Sequence, residues 1–145
     1  MTLWLTLVLL ALLLSPLAWL LPSHRQRGQM EMRLAARRMG LAMQLSRQEW
    51  PHWLGRQPPN PCPQYHRPRR AGRGDSWCFW RSESGEWLNQ WREPCADEAL
   101  AARLAELPMD VYKIEANSQM IALCWGERGD AEALQRVADV LAALA

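Results

Sequence analysis

Apolar and polar positions alternate in three different ways along this chain. Thr2 to Leu21 is one unbroken apolar run, TLWLTLVLLALLLSPLAWLL, without a charged side chain. A helix rises about 1.5 Å per residue, so this run is long enough to cross a hydrocarbon core of about 30 Å. Trp4 and Trp19 fall near its two ends, where indole rings favour the headgroup layer, and both are candidate membrane-interface anchors. Pro16 predicts a late kink of the kind membrane helices tolerate. A cleaved signal peptide would want a basic start and a small-x-small cleavage site. Here the run opens at Met1-Thr2 with no basic side chain, and the best cleavage position, near Ala18, has Pro16 at the critical third place before it. Residues 1–22 therefore read as a transmembrane anchor.

The second regime has helical period. From Gln26 to Met39, Met32, Ala35, Ala36 and Met39 form one stripe, with Arg33 and Arg37 one turn apart beside it. Gly40 is a natural stop. Leu41, Met43 and Leu45 then alternate with polar or small residues, which predicts a short strand. Residues 23–46 thus read as a basic juxtamembrane helix and a strand. Over 47–75 the pattern dissolves into PPNPCP (58–63) and RPRRAGRGD (67–75), the composition of a linker or extended arm. Trp50 and Trp53 are out of place in a pure linker and are expected to pack on a folded domain or lie at the membrane surface.

The third regime, 76–145, repeats itself. A shift of 34 residues lays 77–107 on 111–141 with seven identities, Ser84 on Ser118, Trp91 on Trp125, Glu93 on Glu127, Glu98-Ala99-Leu100 on Glu132-Ala133-Leu134, and Leu107 on Leu141. Each copy reads strand, turn, strand, helix. The turns are Ser82–Glu86 and Ala116–Gln119, rich in turn formers. Tyr112, Ile114 and Ala116 alternate with charged residues, Trp87 and Trp91 share a face, and so do Ile121, Leu123 and Trp125. Leu100, Leu104 and Leu107, then Leu134, Val137, Ala138 and Leu141, have helical spacing, and Asp130 is placed to cap the last helix. Pro108 separates the copies. The expected fold class is α+β: a transmembrane helix, then a small antiparallel sheet with helices on one face, built from a ββα-ββα repeat and optionally extended by the strand near 41–46.

Charge adds direction. Residues 22–73 carry eleven arginines against Glu31 and Glu49, whereas 74–145 carry thirteen carboxylates against five arginines and Lys113, so a net charge of +2 hides a strong asymmetry. Arg25, Arg27, Arg33, Arg37 and Arg38 lie within about 20 residues of the membrane exit, the window in which positive charge sets topology. The expected arrangement places the N-terminus outside and the C-terminal domain in the cytoplasm, at the inner membrane of a bacterium whose arginine-rich, lysine-poor usage fits a GC-rich genome. The same five arginines are candidate contacts for anionic lipid headgroups. Nucleic acid is the weaker alternative, with Trp50, Trp53 and Tyr65 stacking on bases.

Reactive groups are sparse. Cys62, Cys78, Cys95 and Cys124 form no C-x-x-C, and a cytoplasmic setting disfavours disulfides. Cys62-x3-His66, with His52 near, is half of a zinc pattern without its second half. Glu93 and Glu127 each follow a tryptophan by two residues and could pair as carboxylates, but strand ends that introduce a helix explain them as well. Arg73-Gly74-Asp75 reads as a flexible turn. The pattern supplies no catalytic, cofactor-binding or metal residue, and no cofactor.

The layout of residues 1–46 resembles the YajC-type accessory subunit of the bacterial preprotein translocase. That family has one N-terminal span, a proline, a basic run and a short helix before a β-rich part, matched here by LAWLLPSHRQRGQMEMRLAARRMG (17–40). The family's downstream Gly-Asp is replaced by Gly40-Leu41. The resemblance implies a translocase association and no site residues. The expected function is a non-enzymatic, membrane-tethered protein-interaction module with a protein partner whose identity the sequence does not give. The alternatives are an accessory subunit of a translocase or envelope machine, and an enzyme acting on lipid.

Overall fold

The computed structural model describes residues 1–21 and 23–145; Pro22, the expected end of the anchor segment, lies outside the described residues. The chain divides into two units, Met1–Glu31 and Met32–Ala145. The first contains helix α1 (Thr2–Leu20), none of whose residues is buried and which is long and apolar enough to cross a membrane. It also contains the start of helix α2 (His24–Arg38).

The second unit is α+β. Six strands, β1 (Ala42–Ser46), β2 (Cys62–Pro68), β3 (Trp77–Arg81), β4 (Trp87–Leu88), β5 (Val111–Ala116) and β6 (Met120–Trp125), form one sheet in the order β1-β2-β6-β5-β3-β4. Every pairing is antiparallel. Helices α3 (Glu98–Ala105) and α4 (Ala131–Leu144) follow the two hairpins.

The register explains the core. Met43, Tyr65, Leu123, Ile114 and Phe79 are successive cross-strand partners, so they form one row on one face. Leu104 from α3, Leu134, Val137 and Leu141 from α4 and Ala36 from the last turns of α2 join the same core cluster. Each fully buried Leu or Val of this set contributes about 1.5–3 kcal/mol relative to exposure. Both helices start as their sequences ask: Asp97 accepts from the N–H groups of Ala99 and Leu100, and Asp130 from those of Glu132 and Ala133.

The opposite face carries a mixed row, Gln44, Gln64, Cys124, Lys113 and Trp80. The chain between β1 and β2 covers part of it. Gln48 accepts from Lys113 Nζ at 2.9 Å, Trp50 meets Tyr112 edge-on at 6.4 Å, and Trp53 meets Trp80 edge-on at 6.4 Å. Arg56 stacks over the Tyr112 ring at 4.6 Å, and Leu54 is buried. The two tryptophans that are out of place in a linker are the lid of this face.

Three details differ from the sequence expectation. Residues 62–68, expected within a linker or arm, form a strand between β1 and β6. Prolines are tolerated there because Pro63 precedes the ladder with β6, which begins at Gln64, and Pro68 ends the strand. The second strand of the first hairpin stops at Leu88 rather than continuing to Trp91. Asn89 Oδ1 accepts from the N–H groups of Trp91 and Glu93, and Arg92 sits at φ 63°, so the backbone turns away. Leu107 is buried, yet it lies beyond the end of α3.

Candidate functional site

The residues expected at the membrane surface separate into two groups. Trp4 and Trp19 are exposed on α1, and Arg25, Arg27, Arg37 and Arg38 are exposed on α2. Arg33 has a partner inside the folded unit. Its Nε donates to Glu127 Oε2 at 2.8 Å and its Nη2 donates to Glu127 Oε1 at 2.7 Å, a two-pronged pair across 94 residues of sequence. Tyr65 adds its hydroxyl to Glu127 Oε2 at 2.6 Å.

This cluster is built from three elements. The stripe that buries Ala36 turns Arg33 of α2 toward the sheet, Tyr65 comes from the helix-facing row of β2, and Glu127 lies just past β6 at φ 58°. The Glu127 side chain is fully buried, and both its oxygens are taken by donors. The Arg33 guanidinium is held above its ordinary range, first by the hydrogen bond to Glu127. Burial, then the hydrogen bond and charge of Glu127, push the Tyr65 hydroxyl far upward. Closed to solvent and satisfied, the carboxylate works as a structural joint between helix and sheet. Glu93, its counterpart in the sequence shift, is exposed, so the two glutamates are not brought together as a pair.

Two more arginines are consumed internally. Arg69, from the basic 67–75 stretch, donates to the carbonyls of Asp75 and Asn117 at 3.1 and 3.0 Å and pairs with Asp75 Oδ1 at 2.7 Å. That pair, with Trp77 Nε1, holds the Asp75 carboxyl below its ordinary range against the opposing effect of burial, which is the largest single influence. Arg81 donates to the carbonyls of Leu107 and Pro108 and lies over the Trp87 ring at 4.9 Å. The sequence could not separate such buried arginines from free ones, because their acceptors include backbone carbonyls 26 to 48 residues away in the chain.

Among the described residues no three His, Cys, Asp or Glu side chains converge as a metal site. All four cysteines are free thiols. Cys62 and Cys124 share a small buried cluster with Tyr112 under Trp50, and the Cys62 thiol lies 3.9 Å from the Trp125 carbonyl. His66, four residues along β2, is half-buried and has no part in that cluster. The neighbouring Cys62 thiol, followed by burial, drives the Cys124 thiol strongly upward.

An open feature lies at the β3–β4 end of the sheet. Because β4 has only two residues, it pairs with Trp80 and Arg81 alone, and the outer edge of β3 from Trp77 to Phe79 has no strand beside it among the described residues. Ser82 N–H donates to the Glu86 carbonyl across the hairpin. In antiparallel alternation the peptide groups of Trp80 and Cys78 therefore face the same outward side. Two clefts flank this free edge. One, about 530 Å³, includes Cys78, Trp80, Trp91 and Glu115; the other, about 500 Å³, includes Trp77, Phe79, Asp97, Leu100, Arg103 and Leu144. Trp91 is 70% exposed. Burial pushes the Cys78 thiol up to about 12, so it stays protonated and apolar at neutral pH.

Comparison with protein families, with curated proteins and with solved structures finds no match for this chain.

Proposed function

We propose that this chain is a membrane-tethered protein-interaction module, with α1 as a single span, the N-terminus outside, and the α+β unit on the cytoplasmic side of a bacterial inner membrane. The observation that carries this reading is the pairing of a fully exposed apolar helix with a sheet whose β3 edge is open and lined by tryptophan. Arg25, Arg27, Arg37 and Arg38, exposed on α2, suit anionic headgroups, each by about 1 kcal/mol near a charged leaflet. Arg33 is withdrawn from that role by Glu127. The filled, solvent-excluded environment of Glu127 supports a structural rather than a chemical use of this deeply buried carboxylate.

A ββα duplication of 77–107 and 111–141 belongs to the same proposal. The 34-residue shift lays β3 on β5, β4 on β6 and α3 on α4, which supports it. The YajC-type layout of residues 1–46 adds a translocase or envelope machine to the candidate partners.

The test is a mild-detergent pull-down of the tagged full-length chain from native membranes, read by mass spectrometry. A stoichiometric protein partner is expected; recovery of the chain alone would overturn the reading. The topology is checked by a C-terminal alkaline phosphatase fusion, expected to be inactive in cells.

A further inference from the structure

We propose that the outward face of α2 is a bilayer-docking surface: Met30 and Leu34 enter the headgroup layer, and Arg27, Arg37 and Arg38 hold the phosphates of anionic lipids around them. The inference rests on the membrane-tether reading and names the face by which the folded unit meets lipid.

The start of α2 puts it at the interface. The last residue of α1 is Leu20 and the first of α2 is His24, a gap the chain can stretch by no more than about 14 Å. Two features make α2 a new helix rather than a continuation of the first. Leu21 is extended, at φ −72° and ψ 126°. Ser23 and Gln26 then form a reciprocal cap, the Ser23 N–H donating to Gln26 Oε1 at 2.9 Å and the Gln26 N–H to Ser23 Oγ at 3.2 Å. A helix that begins afresh beside the span is free to lie in the interface, as amphipathic helices do.

The two sides of α2 differ in what they touch. Met32 and Ala35 pack against the core that includes Ala36, and Arg33 is tied to Glu127. Helical spacing puts Arg27, Met30, Leu34, Arg37 and Arg38 on the other side. Met30 is 58% exposed and Leu34 is 54% exposed. Among the described residues beyond Leu21 six large apolar side chains are exposed, and these two stand one turn apart between arginines. Arginine stems lie along apolar surface while the guanidinium reaches outward, so the three arginines can hold phosphate at the depth where Met30 and Leu34 leave water. Glu31 is the one carboxylate on the helix. Local charge therefore favours an anionic surface, although residues 32–145 as a whole, with fifteen basic and fourteen acidic side chains, are close to neutral. Two apolar side chains would anchor a free protein weakly. Here the span holds them against the bilayer, and an intramolecular contact needs little intrinsic affinity. An acidic protein would offer the same charge, but the bilayer is the surface that the span keeps within reach.

The experiment places a photoreactive benzophenone side chain at one position at a time in the full-length chain, reconstituted in liposomes of phosphatidylcholine with about a third phosphatidylglycerol. The positions are Leu9 in the span, Leu34, and Ser84 in the β3–β4 turn at the far edge of the sheet from β1. Irradiation is expected to join positions 9 and 34 to lipid and to leave position 84 unlinked. The yield at position 34 should fall at least about fivefold in the double variant Arg37→Gln/Arg38→Gln, and as far in phosphatidylcholine alone, while the yield at position 9 holds. Urea midpoints of the double variant check that the fold is kept. Lipid capture at position 34 no greater than at position 84 overturns the proposal. So does capture that ignores both the arginines and the lipid charge. Cross-linking of position 34 to protein instead of lipid in native membranes overturns it too, and would make α2 a protein-docking face. Loss at position 34 with position 9 still in lipid leaves the tether standing; loss at both positions removes the tether as well.

Discussion

At the scale of single residues, the cluster of Arg33, Glu127 and Tyr65 dominates. Removing Arg33 leaves a buried carboxylate facing only one donor. Arg33→Ala is expected to cost about 3 kcal/mol, measured by urea unfolding of the full chain in detergent. Glu127→Gln, which keeps hydrogen-bonding capacity but loses charge, should cost less. Tyr65 adds a pH signature. Its folded-state value lies above the ordinary one near 10, so the neutral hydroxyl is favoured by folding. This contribution is complete below about pH 10 and is lost as pH rises beyond it. Tyr65→Phe should therefore lower stability by about 1 kcal/mol at neutral pH while flattening the decline above about pH 10, read from urea midpoints. None of this cluster was legible as a unit. Periodicity placed Arg33 beside an apolar stripe, but a partner 94 residues away leaves no local trace. From local sequence, the most natural reading of Arg33 is a free charge near the membrane.

At the scale of elements, what is local could be read and what is relational could not. The stop at Gly40, the turn at Ser82–Glu86 and the cap by Asp130 are decided within a few residues, and the structure contains all three. Asp130→Ala should destabilise the fold by about 1 kcal/mol through the orphaned N–H groups of Glu132 and Ala133, measurable as a lower melting temperature. Strand β2 is the contrary case. Prolines at 61, 63 and 68 do announce extended backbone. Whether extended backbone becomes an arm or a strand depends on whether Gln64 finds Cys124, a choice made by packing rather than by the segment. The candidate site divides the same way. An open sheet edge could be anticipated from antiparallel pairing, but its location at β3 depends on Asn89 ending β4 after two residues.

For the molecule as a whole, the boundary of the folded unit matters most. A domain drawn from Ser76 would lack β1, β2 and the Arg33 end of α2, expose one side of β6, and strand Glu127 without its donors. A fragment beginning at Ser76 is expected to show no cooperative thermal transition by circular dichroism, whereas one beginning at Ser23 should melt cooperatively. Cooperative melting of the Ser76 fragment would mean that the sheet can close without β2.

The position of β6 carries a consequence for how the protein is made. It is the last of the six strands in chain order, yet it lies between β2 and β5 and joins the two halves of the sheet. During synthesis, β1 with β2 and β3 with β4 and β5 leave the ribosome as two pieces that cannot meet until residues 120–125 have emerged. Closure then waits on contacts between distant parts of the chain, the slow class of folding events. Each newborn copy therefore presents unpaired strands for a time, and a bound chaperone would find the chain most receptive then.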